Sequence, residues 1–132
     1  MIKIQDNDNN LLAIILKEGK IFNEEKHFFT ENKEEMQLAS FNLSKNTIID
    51  NHIHLNQIRE INTTSEVIVV FEGSIEVSIF DNDLNLITTE IIYAGEVITL
   101  FQGGHGIKVI EDSKFIEAKQ GPYLMDQDKK RF

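Results

Sequence analysis

The chain is built from short apolar runs that are separated by clusters of Asn, Asp and Gly. In SIEVSIF, residues Ile75, Val77 and Ile79 occupy alternate positions and polar residues occupy the others, which is typical of a half-buried strand. The EG pair at 72–73 and the DND triplet at 81–83 supply turns. The other predicted strands are LLAIILK (11–17), KHFFT (26–30), MQLASFNL (36–43), EVIVVF (66–71), LNLITTEII (84–92), EVITLF (96–101), IKVI (107–110) and KFIEAKQ (114–120).

The stretch NEEKHFFTENKEEMQL at 23–38 also permits a helical interpretation, but its aromatic residues do not follow a 3.6-residue period. No repeat, proline-rich linker or low-complexity tract divides the 132 residues, so a single domain over 1–132 is expected. The charged ending at 121–132 is expected to be a frayed tail. Many short strands with frequent turns predict an all-β fold, either a sandwich or a barrel.

The formal charge of −9, from 13 Lys and Arg against 22 Asp and Glu, repels phosphate backbones and anionic lipid headgroups. Binding to nucleic acid or to a membrane surface is therefore disfavoured, while a local basic spot for a small anion remains compatible. The absence of cysteine removes disulfides, thiolate metal ligands and cysteine nucleophiles, and it fits a reducing cytoplasm. The apolar run at 11–16 is too short for a convincing signal peptide or for a membrane span, so a cytoplasmic protein is expected.

Two histidines, His52 and His54, lie one residue apart, and strand-like alternation would point both to the same face. Glu66 opens an apolar run and shares its predicted face with Ile68, where an unpaired carboxylate would be costly. His105 follows a pair of glycines later in the chain. Three imidazoles and one carboxylate suit a divalent transition ion such as Fe, Mn, Ni, Cu or Zn better than Ca or Mg. The hypothesis is a metal site formed by His52, His54, Glu66 and His105.

The spacing of these residues resembles that of the cupins, most closely in EVIVVFEGSIEVSIFDND, GEVITLFQGGHGIKVIED and IEAKQGPY. The residues that match are His52, His54, Glu66 and Gly73 for the first cupin motif, and Gly95, Gly103 and His105 for the second. The resemblance covers roughly residues 36–120, and it extends to small cupins found in bacterial polysaccharide and sugar-modification settings. It implies a jelly-roll barrel with a metal centre and a small-molecule ligand. The strands before residue 36 and the habit of the fold also suggest a homodimer.

The insert LNQIREINTTS at 55–65 is longer than the spacer of the common cupin motif, and it leaves open whether Gln57 or Glu60 replaces Glu66 as a ligand. Gln57 and Arg59 are candidate substrate-binding residues. In a cupin this insert would lie near the mouth of the barrel, where the guanidinium of Arg59 could clamp a carboxylate or a phosphate. The alternative is that Arg59 is a solvated arginine in a loop.

Glu117 and Lys119 share one face of the last predicted strand. If that face is the interior, Glu117 is a candidate proton carrier and Lys119 a candidate substrate contact. If it faces outward, the two residues form a surface charge pair. Glu60 and Tyr123 are further candidate proton carriers, and Tyr123 could instead form a strap at a subunit interface.

Two classes of function are compatible with these features. The first is a metal-dependent enzyme, an isomerase, epimerase or lyase, that moves a proton on a sugar or another oxygen-rich metabolite; with iron, a dioxygenase is the variant. The second is a non-catalytic module that binds a sugar or another small molecule. Fold analogy alone does not decide between them.

Overall fold

The computed structural model of the chain describes residues 1–123 and 128–132, and within them it contains ten strands and no helix. The all-β prediction is confirmed. The strands are β1 (Ile2–Gln5), β2 (Leu11–Leu16), β3 (Lys26–Phe28), β4 (Ala39–Phe41), β5 (Glu66–Glu72), β6 (Ser74–Phe80), β7 (Leu86–Tyr93), β8 (Val97–Leu100), β9 (Gly104–Val109) and β10 (Lys114–Lys119). No helix in this part of the chain is long and apolar enough to cross a membrane.

The strands form two facing sheets and a separate hairpin, and every pairing is antiparallel. One sheet has the order β1-β2-β8-β5-β10, and the other has the order β7-β6-β9. The hairpin pairs β3 with β4. The strands β9 and β10 each lie at an edge of their sheet, so one long side of each has no paired strand among the residues that the structure describes.

The core forms where the inner faces of the two sheets meet. Residues of β2, β5 and β8 pack there against residues of β6 and β7 in one cluster of fully or almost fully buried aliphatic side chains. Strand β2 is apolar on both faces, and its second face packs Ile14 and Leu16 against Phe29 near the hairpin. This explains why LLAIIL shows no polar alternation, because a strand that is covered on both sides needs apolar residues at every position.

Two turns repeat the local motif Asp-Asn-Asp-x-Asn, at residues 6–10 and 81–85. In the second turn, the Asp81 carboxylate accepts hydrogen bonds from the backbone N–H groups of Asp83 and Asn85 and from the Asn85 side chain, at 2.8–3.0 Å. Asp6 makes the same contacts in the first turn. Side-chain bonds of this kind mimic a backbone turn, so the prediction of a turn at 81–83 is confirmed for a local reason.

The sequence-based strand assignment was wrong at two places. Residues 2–5 form a strand that was not predicted, and residues 42–65 form no strand at all. The latter range is called the connecting segment here, and it contains the two histidines that were expected to share a strand face. Six of its seven large aliphatic side chains are exposed by 49–105%; they are Ile48, Ile49, Ile53, Leu55, Ile58 and Ile61. The homodimer, which such surfaces could support, stays a prediction.

The helical interpretation of residues 23–38 is also wrong. This stretch contains the short strand β3 followed by turns, and β4 comes after it. The only histidine in it, His27, contacts the Glu24 carboxylate at 3.0 Å and packs its ring against Phe29. These contacts give His27 a structural role, so no functional role is needed to account for it.

Candidate functional site

A cavity of about 1070 Å³ opens between the two sheets near the beginning of β5 and β9. Glu66 and His105 line it together, and so do Glu117 and the glycines on either side of His105. The other charged residues of the lining are Asp81, Asp128, Lys129, Lys130 and Arg131. The cavity therefore contains several of the predicted site residues together with a part of the chain that the sequence had not indicated.

The registers of the strands explain why Glu66 and His105 meet. Glu66 lies opposite Leu100 of β8, and Ile68 lies opposite Ile98, so the Glu66 side chain projects from the core-facing side of its sheet. His105 lies opposite Ile79 of β6, and Ile79 is a core residue of the other sheet. Each residue is thus on the inner face of its own sheet, and the sandwich brings the two faces together.

The Glu66 Oε2 atom lies 3.1 Å from the Nε2 atom of His105. The Glu66 side chain is 13% exposed and that of His105 is 31% exposed. The separation has the length of a hydrogen bond, yet Oε2 is a buried oxygen with no partner of acceptable hydrogen-bond geometry. The carboxylate therefore keeps unused capacity to bind a donor or a cation.

A second buried carboxylate shows how unusual this is. Glu96 accepts a hydrogen bond from the Lys17 ammonium at 3.0 Å and another from the backbone N–H of Tyr93 at 3.0 Å. These two hydrogen bonds satisfy the buried carboxylate of Glu96 and give it a structural role in the turn before β8. Glu66, by contrast, faces a cavity with one oxygen incompletely satisfied, which is the pattern expected of a ligand-binding carboxylate.

The pKa of Glu66 is lowered from its ordinary value of 4.5, chiefly by the contact with the His105 imidazole. Burial acts in the opposite direction, and the positive charges of Lys119 and Lys129 lower the pKa further. Glu66 is therefore an anion at neutral pH, as a metal ligand or an acceptor of hydrogen bonds must be.

The structure shows whether Glu117 and Lys119 lie on the inner or the outer face of their sheet. Glu117 lies opposite Ile68, and Lys119 lies opposite Glu66, so both occupy the inner side of the sheet. Glu117 lines the cavity. The Lys119 ammonium donates a hydrogen bond to Asp128 at 2.6 Å, and this contact is the first cause of its raised pKa. Glu117 is therefore placed to contact a ligand, and Lys119 holds the end of the chain.

The structure does not bring the other predicted site residues to this cavity. His52 and His54 are exposed in the connecting segment, their ring centroids are 5.4 Å apart, and His52 contacts the backbone oxygen of Asp50. The three candidates of the insert, Gln57, Arg59 and Glu60, are exposed as well and do not line the cavity. Tyr123 is 56% exposed and lies beside the Lys119 ammonium, 4.9 Å from ring centroid to nitrogen. Their predicted roles stay predictions.

Within residues 1–123 and 128–132, no group of three or more His, Asp and Glu side chains is arranged to hold a metal ion. The pair of Glu66 and His105 nevertheless fits two positions of one metal site. Bonds of about 2.0–2.2 Å from a transition ion to nitrogen and oxygen place two neighbouring ligand atoms about 3 Å apart, and the observed separation is 3.1 Å. Further ligands would have to come from outside this pair.

The described end of the chain, residues 128–132, lies over the cavity with mostly exposed side chains, and the expectation of a frayed tail stays a prediction. The ring of Phe132 contacts the ring of Phe80 edge-on, with centroids 5.1 Å apart. It also occupies the space above Gly104 that a larger residue would fill. The only sequence signal for this contact is the large apolar residue that follows a run of charges, and on its own it is weak.

Comparisons with known proteins add no assignment. No family model matches the chain, and neither a curated protein nor a solved structure resembles it significantly. The functional argument therefore depends on the residues of the cavity.

Proposed function

We propose that the chain binds a small oxygen-rich molecule in the cavity between the sheets, at a centre where Glu66 and His105 hold a divalent transition ion. The observation that carries the proposal is the buried Oε2 atom of Glu66, which faces the cavity 3.1 Å from His105 and lacks a good hydrogen bond. A carboxylate in this position is anionic and has a free lone pair, which are the requirements for a metal ligand.

His52 and His54 are proposed to complete the ligand set when the connecting segment closes on the cavity. One observation supports this: the apolar side chains of the segment are exposed, so closure would bury them. The resemblance to cupins has these four residues as ligands, and we propose the jelly-roll form of the all-β fold on the same basis. When bound, the ion supplies Lewis-acid stabilisation of a developing oxyanion.

A proton-transfer enzyme is the form of this function that Glu117 favours. Glu117 lines the cavity on the same sheet face as Glu66 and belongs to no ion pair in the described part of the chain. It could hold or move a proton at a bound hydroxyl or carbonyl compound. Non-catalytic binding of the same ligand is the alternative, and a Glu117→Gln variant that keeps ligand affinity but loses turnover would decide for the enzyme.

The metal site is tested by the metal content of protein purified without an affinity tag and dialysed in turn against Mn, Fe, Ni, Cu and Zn ions. Wild type is expected to retain about one ion per chain. Glu66→Gln and His105→Gln should retain less than about a tenth of that amount, because each removes one ligand and leaves the other unsupported. His27→Gln is the matched control, since His27 lies elsewhere and contacts Glu24.

The double variant His52→Ala, His54→Ala separates the contribution of the connecting segment. Weaker retention than wild type would support closure of the segment, whereas unchanged retention would restrict the site to Glu66, His105 and the cavity. A wild type that retains none of these ions, or variants at Glu66 and His105 that bind as wild type does, would contradict the metal site.

A further inference from the structure

The end of the chain is fixed over the cavity at two points. Asp128 is paired with Lys119 of β10 at 2.6 Å, and the Asp128 side chain is only 8% exposed. The Phe132 ring, which is 63% exposed, packs edge-on against Phe80 and lies over the backbone at Gly104. Residues 129–131 lie between these two contacts, and their side chains are exposed at the cavity.

These three residues are Lys129, Lys130 and Arg131, and all of them line the cavity. In a chain with 13 basic and 22 acidic residues, three consecutive cations at one cavity are a local concentration of positive charge. None of the three belongs to an ion pair among the described residues. The charge of Lys129 also reaches Glu66, whose pKa it lowers.

Four carboxylates share the cavity, but three of them have partners. Glu66 contacts His105, Asp128 is paired with Lys119, and Asp81 accepts three hydrogen bonds within its own turn. Glu117 is the one that has no such partner in the described part of the chain. None of these four carboxylates is within ion-pair distance of residues 129–131 in the described part of the chain, so the three cations have no close anionic partner there.

We propose that Lys129, Lys130 and Arg131 make the cavity a site for a small molecule with an anionic group, either a phosphate or a carboxylate. Arginine and lysine are the side chains that bind these groups by charge-assisted hydrogen bonds. A cavity of about 1070 Å³ accepts a molecule of metabolite size. The proposal rests on the proposed function for the location of the ligand, and it names the ligand's chemical class.

The test is a titration of ¹⁵N-labelled protein, followed by the amide signals of Gly104 and Gly106 on either side of His105. The probes are inorganic phosphate, malonate and neutral glucose, each at constant ionic strength because exposed charges are screened by salt. At least one of the two anions is expected to shift these signals saturably, and the two arms show whether phosphate or carboxylate is preferred. Glucose should bind more weakly than the preferred anion.

The decisive variant is Lys129→Gln, Lys130→Gln, Arg131→Gln. Its matched control, Lys3→Gln, Lys20→Gln, Lys45→Gln, removes the same number of charges from exposed lysines elsewhere. The first should weaken binding of the anion at least about tenfold, and the control should change it by less than about twofold. A second variant, Phe132→Ala, keeps the cations but removes an anchor, so it should weaken binding by about threefold or more.

Equal losses in the two triple variants, or no saturable shift with either anion in wild type, would overturn the proposal. Its failure differs from that of the metal site. Retention of an ion without anion binding would leave the proposed metal centre intact and remove the anionic ligand class. If the protein binds the anion through residues 129–131 but retains no metal ion, the anionic ligand class stands and the metal centre is contradicted.

Discussion

The two halves of the predicted ligand set lie in very different parts of the molecule. Glu66 and His105 belong to paired strands, and their side chains meet at 3.1 Å inside the sandwich. His52 and His54 are spaced for a strand but lie exposed in the connecting segment, which pairs with no strand. The comparison shows that alternation alone does not make a strand, since a strand also needs a neighbour that pairs with its backbone and covers its apolar face.

The largest expected difference between the two regions comes from the same substitution made in each of them. Ile68 is fully buried beneath the site, and Ile58 is fully exposed in the connecting segment. Ile68→Ala should lower the free energy of unfolding by about 2–5 kcal/mol because it leaves a cavity in the core. Ile58→Ala should change it by less than about 0.5 kcal/mol. Urea unfolding followed by circular dichroism measures both.

A large loss for Ile58→Ala would break the comparison, because it would show that the connecting segment is packed in solution. Analytical ultracentrifugation of the same sample would then show whether a second copy covers the segment. Wild-type behaviour of both variants would contradict the assigned core.

A somewhat smaller effect is expected from glycines at the site. Gly103 has a φ of 79°, and a Cβ there would meet the Phe80 carbonyl oxygen well inside contact distance. Gly103→Ala should therefore cost at least about 2 kcal/mol of stability. Gly106→Ala is the control, because its Cβ would have open space around it. Thermal unfolding of the two variants checks the prediction, and equal melting temperatures would contradict it.

The pH dependence of stability sharpens the role of Glu66. Its pKa is lower in the folded chain than its ordinary 4.5, so its contribution to stability is fully present above that value and is lost as the pH falls through the folded pKa. In metal-free protein, Glu66→Gln should thus be less stable than wild type at pH 7, and the difference should shrink as the pH falls below the ordinary pKa of 4.5 and through the lower folded pKa. The measurement is urea unfolding at a series of pH values.

A difference that stays constant across that pH range would show that the charge of Glu66 is not what the folded state stabilises. His27→Gln is a control here as well, because it leaves the cavity unchanged.

The smallest expected effect is a gain in stability in a turn. Leu84 has a φ of 68°, in the left-handed region, and the equivalent position of the first Asp-Asn-Asp-x-Asn turn is Asn9 with a φ of 64°. Asparagine tolerates this conformation better than leucine does. Leu84→Asn should therefore stabilise the protein by about 0.5–1 kcal/mol, measured by thermal unfolding. The reverse change, Asn9→Leu, should destabilise it by a similar amount.

Several features of the fold could be predicted because their cause is local in the chain. The alternation in SIEVSIF placed Ile75, Val77 and Ile79 in the core, and the strand over residues 74–80 agrees with it. The position of Glu66 on the face of Ile68 also follows from alternation, and the structure confirms it. The connecting segment was mistaken because His52 and His54 carry the same alternation without a partner strand.

The contacts made by the end of the chain are a feature that could not be predicted from the sequence. Its charges gave no reason to expect order, yet Phe132 contacts Phe80 across more than fifty residues of sequence, and Asp128 is paired with Lys119. A contact of this kind depends on a gap between two sheets that exists only after the strands have paired. Periodicity in the sequence contains no signal for such a gap.

The sequence by itself determined the class of fold, the position of most strands and the two turns that Asp6 and Asp81 close, because period-two burial and side-chain hydrogen bonds act over a few residues. Tertiary structure alone decided that Glu66 meets His105, that Glu117 faces the cavity and that Lys129, Lys130 and Arg131 lie beside it. The physical reason is that strand register and the packing of one sheet on another are set by contacts between residues far apart in the chain.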